Sequence, residues 1–150
     1  MMLPWQQMAR SKIVLQGSVD FDVHCTFDLE IRTPQVKTHL SFYGQINEFA
    51  EFGRQLLAFP ASAMHTVSFE VGTADKASTM EYLLLSAYCV DPQGHTALRI
   101  IVDNGAQGAA HHRFEFSIAS EAASINRLGG LLANWNVGNM PEITWKAETR

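Results

Sequence analysis

Residues 20–32, DFDVHCTFDLEIR, alternate with a period of two. Phe21, Val23, Cys25, Phe27, Leu29 and Ile31 fall on one side, and Asp22, His24, Thr26, Asp28, Glu30 and Arg32 on the other. Successive side chains of a strand point to opposite faces, so the stretch reads as one long strand with a dry face and a wet face. Surface that apolar has to be covered, and the rest of the chain is the material for covering it.

The neighbouring segments have the same character. Residues 12–16 (KIVLQ) read as a short strand ended by Gly17-Ser18, and residues 36–43 as a strand following a turn at Thr33-Pro34. Placing Ile31 opposite Val36 pairs Leu29 with Thr38, Phe27 with Leu40 and Cys25 with Phe42 on the dry face. On the wet face it sets Glu30 against Lys37, Asp28 against His39 and His24 against Tyr43, which cross-strand charge pairing favours. After Gly44 the period changes. In residues 45–59, Ile46, Phe49, Ala50, Gly53, Leu56 and Leu57 follow helical spacing, and Pro60 forbids continuation.

Strands follow at residues 65–71, 80–90, 95–103 and 111–119. The second of these is apolar on both faces, as a central or doubly covered strand would be. The turn DPQG leads from it into HTALRIIVD, with Val90 facing His95 or, if a bulge forms at Gly94, the match shifted by one, and NGAQG at residues 104–108 reads as a flexible hairpin loop. Ser120 reads as the cap of a helix over residues 120–135, with Ala122, Ile125, Leu128, Leu132 and Trp135 on its buried side. Ile143 and Trp145 suggest a short last strand. Residues 1–10 read as a loose arm whose Leu3, Trp5 and Met8 can dock on the body or on a partner. The fold class is α+β: a single antiparallel, largely meandering sheet of about seven strands packed with two helices, in one domain over residues 1–150.

A chain of 150 residues buries roughly 68–70% of its unfolded surface without disulfide staples. Cys25 and Cys89 fall inside strands, either as a reduced buried pair or as a disulfide. Lys and Arg number 11 against 15 Asp and Glu, and no segment clusters the cations, which argues against a nucleic-acid footprint. No apolar run approaches the ~20 residues of a membrane span. The amino terminus lacks the basic start and apolar core of a signal peptide. A cytoplasmic, bacterial-type protein is the expectation.

Six histidines raise the question of a metal. His111 and His112 are adjacent and so point to opposite faces of a strand; His24 and His39 share the wet face but stand four residues out of line. No H-E-x-x-H, C-x-x-C or His-x-His pattern occurs. There is no G-x-S-x-G elbow, and neither cysteine has an activating neighbour. Asp20 and Asp22 share a strand face and read as solvated, and Gly105 and Gly108 precede no helix, so they form no phosphate loop. No catalytic, cofactor-binding or metal-ligating residue is assigned, and the missing motifs point away from an enzyme. Tyr82, Leu84, Tyr88 and Ile101, beside Arg99, lie on the second face of the central hairpin. Either a helix or the arm covers them, or they form an interface, where aromatics and Arg are enriched.

From residue 42 to residue 135 the order is strand, helix, strand, loop, strand, a turn ending Gly94-His95, strand, strand, helix. This order resembles small bacterial proteins of the WapI-type toxin-immunity class, in which a helix like that at residues 47–59 precedes a meander and a Gly-His pair opens a strand, here GHTALRIIV. The resemblance implies a stoichiometric binding role, with a toxin domain as partner and no catalytic residues or cofactor. The leading functional expectation is thus a non-catalytic protein-binding domain of the immunity type. One alternative is a small enzyme or ligand binder with a cavity between helix and sheet. Another is an oligomeric scaffold, such as a homodimer, built through Tyr82, Tyr88 and the arm. Neither nucleic acid nor membrane is expected as a partner.

Overall fold

The computed structural model describes residues 10–75 and 80–149, so the arm expected at 1–10 lies, apart from Arg10, outside the described residues. The elements run β1 (Lys12–Phe21), β2 (His24–Arg32), β3 (Lys37–Gln45), α1 (Ala50–Leu57), β4 (Val67–Val71), β5 (Tyr82–Cys89), β6 (Thr96–Asp103), β7 (Arg113–Ser120), α2 (Ala122–Ala133) and β8 (Glu142–Lys146). The class is α+β, but the expected single sheet of about seven strands is two antiparallel sheets of four, ordered β3-β2-β1-β8 and β4-β5-β6-β7. The reason is area. Helices of 8 and 12 residues are only ~12 and ~18 Å long, too short to cover one broad apolar face. Folding the strands into two sheets lets each dry face cover the other, with the helices completing the core. α1 carries the chain from the first sheet to the second, and α2 carries it back to β8, which pairs with β1.

The long strand expected at residues 20–32 is also divided. β1 continues through Gly17 to Phe21, the chain turns at Asp22 and Val23, and β2 returns antiparallel from His24. Asp22 takes a left-handed backbone (φ 53°), which a short polar side chain tolerates better than most. Gly17 ends no strand. A Cβ there would sit 2.7 Å from Val137 Cγ1, so the close approach of the segment after α2 is what requires glycine.

The β2–β3 register differs from the expected one by two residues: Ile31 faces Thr38, Leu29 faces Leu40 and Phe27 faces Phe42. An even shift keeps every side chain on its expected face. Its cause is Thr33, whose Oγ1 accepts the Gln35 and Val36 amides at 3.2 and 3.0 Å. The loop is thereby fixed at residues 33–36, and Arg32 is left opposite Lys37. In the second sheet the expected register holds, with Leu83, Leu85, Ala87 and Cys89 opposite Val102, Ile100, Leu98 and Thr96. The expected last strand is present as β8.

α1 is shorter than residues 45–59, and it buries Phe52 rather than Leu57, which is half exposed. Ser120 ends β7 and caps nothing; Glu121 holds the N-cap position. The two sheets and the helices meet at Phe49, just before α1. Its ring stacks on Phe69 of β4 (4.5 Å between centroids) and meets Phe27 of β2 edge-on (5.3 Å). Phe42 and Trp135 close the cluster at 6.1 and 5.9 Å.

α1 and α2 cross at Gly53 and Gly129. A Cβ on Gly53 would collide with the Ala133 amide and lie 2.7 Å from the Gly129 carbonyl; one on Gly129 would lie 2.8 Å from the Gly53 carbonyl. Gly130 is different, since a Cβ there meets only Leu57 Cδ2, at 3.9 Å. Alanine favours a helix over glycine by ~1 kcal/mol, so Gly130→Ala is expected to be neutral or to stabilise by up to that amount. Gly53→Ala and Gly129→Ala should instead cost ~1–3 kcal/mol through overpacking. Chemical denaturation of the three variants checks this; equal effects at all three positions would contradict the crossing.

Candidate functional site

The first sheet presents a face of four side-chain rows to its outer side, because the alternate residues Ile13, Leu15, Phe27, Leu29, Ile31, Leu40, Phe42, Ile143 and Trp145 are buried inward. At one end Lys146, Lys12, Arg32 and Lys37 stand side by side in one cross-strand row. Next come Thr144, Val14, Glu30 and His39, and then Glu142, Gln16, Asp28 and Ser41. Gln16 donates to Glu142 at 3.2 Å, His39 Nε2 lies 3.5 Å from Asp28, and the Ser41 hydroxyl donates to the same carboxylate. Ser18, Thr26 and Tyr43 form the fourth row, and the β1–β2 turn closes the far end.

That far end is apolar and wet at once. Phe21 is 68% exposed, Tyr43 80%, and Val19 and Val23 are each 42% exposed. The Phe21 ring leans on His24, with centroids 4.7 Å apart. Across from it Tyr43 completes a shallow cleft of about 390 Å³, lined also by Asp20, Cys25, Gly44 and Gln45. Asp20 accepts a 2.7 Å hydrogen bond from Thr26, and the Val23 carbonyl accepts the Ile46 amide at 2.8 Å, tying the turn to the end of β3. Asp20 and Asp22 do not share a strand face as expected, because Asp22 is in the turn. Burial pushes the Cys25 thiol up, and the Asp20 charge adds to that, so this thiol is a poor nucleophile at neutral pH.

The outer face of the second sheet holds Tyr82, Leu84, Tyr88, Arg99 and Ile101. Tyr82 and Ile101 are buried there, Leu84 and Tyr88 half-buried, and Arg99 exposed. The helices contribute instead to the core between the sheets, with Phe52, Leu56, Ile125, Leu128 and Leu132. Much of this face is occupied by bonds to itself. Tyr82 donates to Glu70 at 2.6 Å under the Arg113 guanidinium, 5.8 Å from the ring centre. Tyr88 and Ser117 share a hydrogen bond of 3.0 Å, and Ser68 and Ser86 one of 2.8 Å. Asp103 is buried; it pairs with Arg113 at 3.0 Å and His111 at 2.9 Å and accepts the Gly105 amide at 2.8 Å. Burial alone would raise the Asp103 carboxyl; those three partners outweigh it and hold the group below the usual carboxylate range.

Each histidine has its own neighbour. Beyond His24, His39 and His111, His65 accepts the Ala61 amide (2.9 Å), His95 bonds Asp91 (2.5 Å), and His112 bonds Asn104 (3.1 Å). His111 and His112 precede β7 rather than lying in it, and they diverge to Asp103 and Asn104. Among the described residues no group of three His, Cys, Asp or Glu side chains comes together to hold a metal. Cys25 and Cys89 are free thiols in different sheets. The loop expected to be flexible at residues 104–108 is pinned by its own bonds: Asn104 donates to the Ala110 carbonyl (2.9 Å) and accepts the His112 amide (3.0 Å). No described helix is long and apolar enough to cross a membrane. No family model, curated protein or solved structure matches the chain.

The sequence pattern misses the aromatic end of the first sheet. Alternation assigns Phe21 and Val23 to the dry face, because a two-residue turn does not interrupt a period-two count. The available signal was Asp22, a turn-tolerant residue between two apolar ones.

Burial, and then the bond to Glu70, push the Tyr82 phenol up to about 12. A phenol raised above its unfolded value of ~10 adds stability that is fully present below pH ~10. That stability is lost as the pH climbs toward 12. In an absorbance titration of the three tyrosines, the last ionisation should fall near pH 12 and vanish in Tyr82→Phe. A late step that survives in Tyr82→Phe would show that Tyr82 is not the buried phenol.

Proposed function

We propose that this chain is a non-catalytic protein-binding domain whose contact surface is the outer face of the first sheet, anchored at its aromatic end. The observation that carries the reading is the exposure of Phe21 and Tyr43 on either side of the cleft they line. A surface of this kind, rimmed by the polar groups of Asp20, Asp22 and Gln45, has the composition of an interface centre. Burying one such side chain yields ~1.5–3 kcal/mol, which the free protein forgoes at this end. The second sheet's outer face is a weaker candidate, since its tyrosine hydroxyls and most of its charges are already engaged within it. An immunity protein of the bacterial cytoplasm, capping a toxin domain, is the specific form of this role, supported by the order of elements from residue 42 to residue 135.

The test uses the full chain as bait and compares it with Phe21→Ser/Tyr43→Ser. Both side chains are exposed, so the variant should keep its unfolding free energy within ~0.5 kcal/mol per site. Its capture of the partner should fall at least ~10-fold, the equivalent of ~1.4 kcal/mol. Equal capture by both proteins would overturn the reading. So would turnover on a substrate panel that a single His or Asp substitution abolishes.

A further inference from the structure

Lys12, Arg32, Lys37 and Lys146 are scattered over the sequence, yet the register sets them directly beside one another. Like charges directly opposite across strands destabilise a sheet. Arg32 is relieved by Glu30 at 2.5 Å. Lys12, Lys37 and Lys146 make no ion pair among the described residues. Arg10 is at the same end, lining the 750 Å³ groove that opens between the sheets there. Among the described residues the three lysines serve no contact that would explain the row.

We infer that this row is an anion-recognising strip and that its occupant is an acidic helical segment of a protein partner. The inference rests on the reading of this face as protein-binding and supplies the partner's chemistry. Strands lie ~4.8 Å apart, so the row offers cations at that interval over ~14 Å. Residues three and four apart on a helix are ~5–6 Å apart. A helix laid across the strands with carboxylates at i, i+4 and i+7 therefore offers three acids to the four cations, of which Arg32 is already relieved by Glu30. A nucleic acid fits less well. Its phosphates would run past Glu30, Asp28 and Glu142 in the next rows, and the exposed aromatics on which bases could stack, Phe21 and Tyr43, are at the opposite end of the strands.

The experiment measures binding of the full chain to a dye-labelled, 15-residue alanine-based helical peptide with glutamates at that spacing, by fluorescence anisotropy in 50 mM salt. The glutamate peptide should bind at least ten times more tightly than its glutamine counterpart. Its affinity should fall tenfold in Lys12→Glu/Lys37→Glu, less in Lys12→Gln/Lys37→Gln, and little in Phe21→Ser/Tyr43→Ser. Equal binding of the glutamine peptide, indifference to the charge reversals in a protein of unchanged unfolding midpoint, or tighter binding of a 15-nucleotide dT strand would each overturn the inference. If the glutamate peptide does not bind while partner capture still depends on Phe21 and Tyr43, the strip is wrong and the protein-binding reading stands. Loss of that dependence would sink the reading itself.

Discussion

The ring of Phe49 is the wedge on which the architecture depends. It touches Phe27 and Phe42 of the first sheet, Phe69 of the second, and Trp135 beyond α2. Stacked sheets lie ~10 Å apart, and two short helices cannot fill that space along its whole length. A cluster of large rings can, each burying 150–250 Å². Phe49 can sit there because the chain leaves β3 through a turn before α1 begins, which delivers one side chain into the gap. The glycine crossing of α1 and α2 then follows: with the rings occupying the space between sheets, the helices must approach each other to backbone contact at Gly53 and Gly129.

Period-two alternation was enough to find most of the strands and, away from the β1–β2 turn, to say which side of each is dry, because both are local properties. The faces of β2 and β3 survive even the two-residue error in their register, since an even slip preserves facing. What alternation does not encode is chain direction. A two-residue reversal at Asp22 and Val23 leaves the pattern intact, so residues 20–32 read as one strand when they are the end of one and the whole of the next. Nor does it encode how many sheets the strands form. That is decided by the pairing of β1 with β8, more than a hundred residues away, and by the limited cover two short helices provide.

The same limit explains the site. The aromatic end exists because the β1–β2 turn brings Phe21 and Val23 out past the edge of the core, where Tyr43 already points to solvent. The cation row exists because strand ends distant in sequence are level in space. Charge scattered along a chain says little about charge on a sheet, since a sheet gathers residues by register. A scan for basic segments passes over Lys12, Arg32, Lys37 and Lys146 for that reason.

The two outer faces divide the work between them. On the second sheet most of the charged groups and the tyrosine hydroxyls are matched, Arg99 apart: Asp103 with Arg113 and His111, Tyr82 with Glu70, Tyr88 with Ser117. Such a face gains little by binding, because any partner would have to replace bonds already made. The first sheet leaves cations at one end and rings at the other, with Asp28 and Glu142 between them held by Ser41 and Gln16. A partner there replaces water rather than protein contacts. Its binding energy is therefore concentrated at the two ends of the strands, where the free protein is least satisfied.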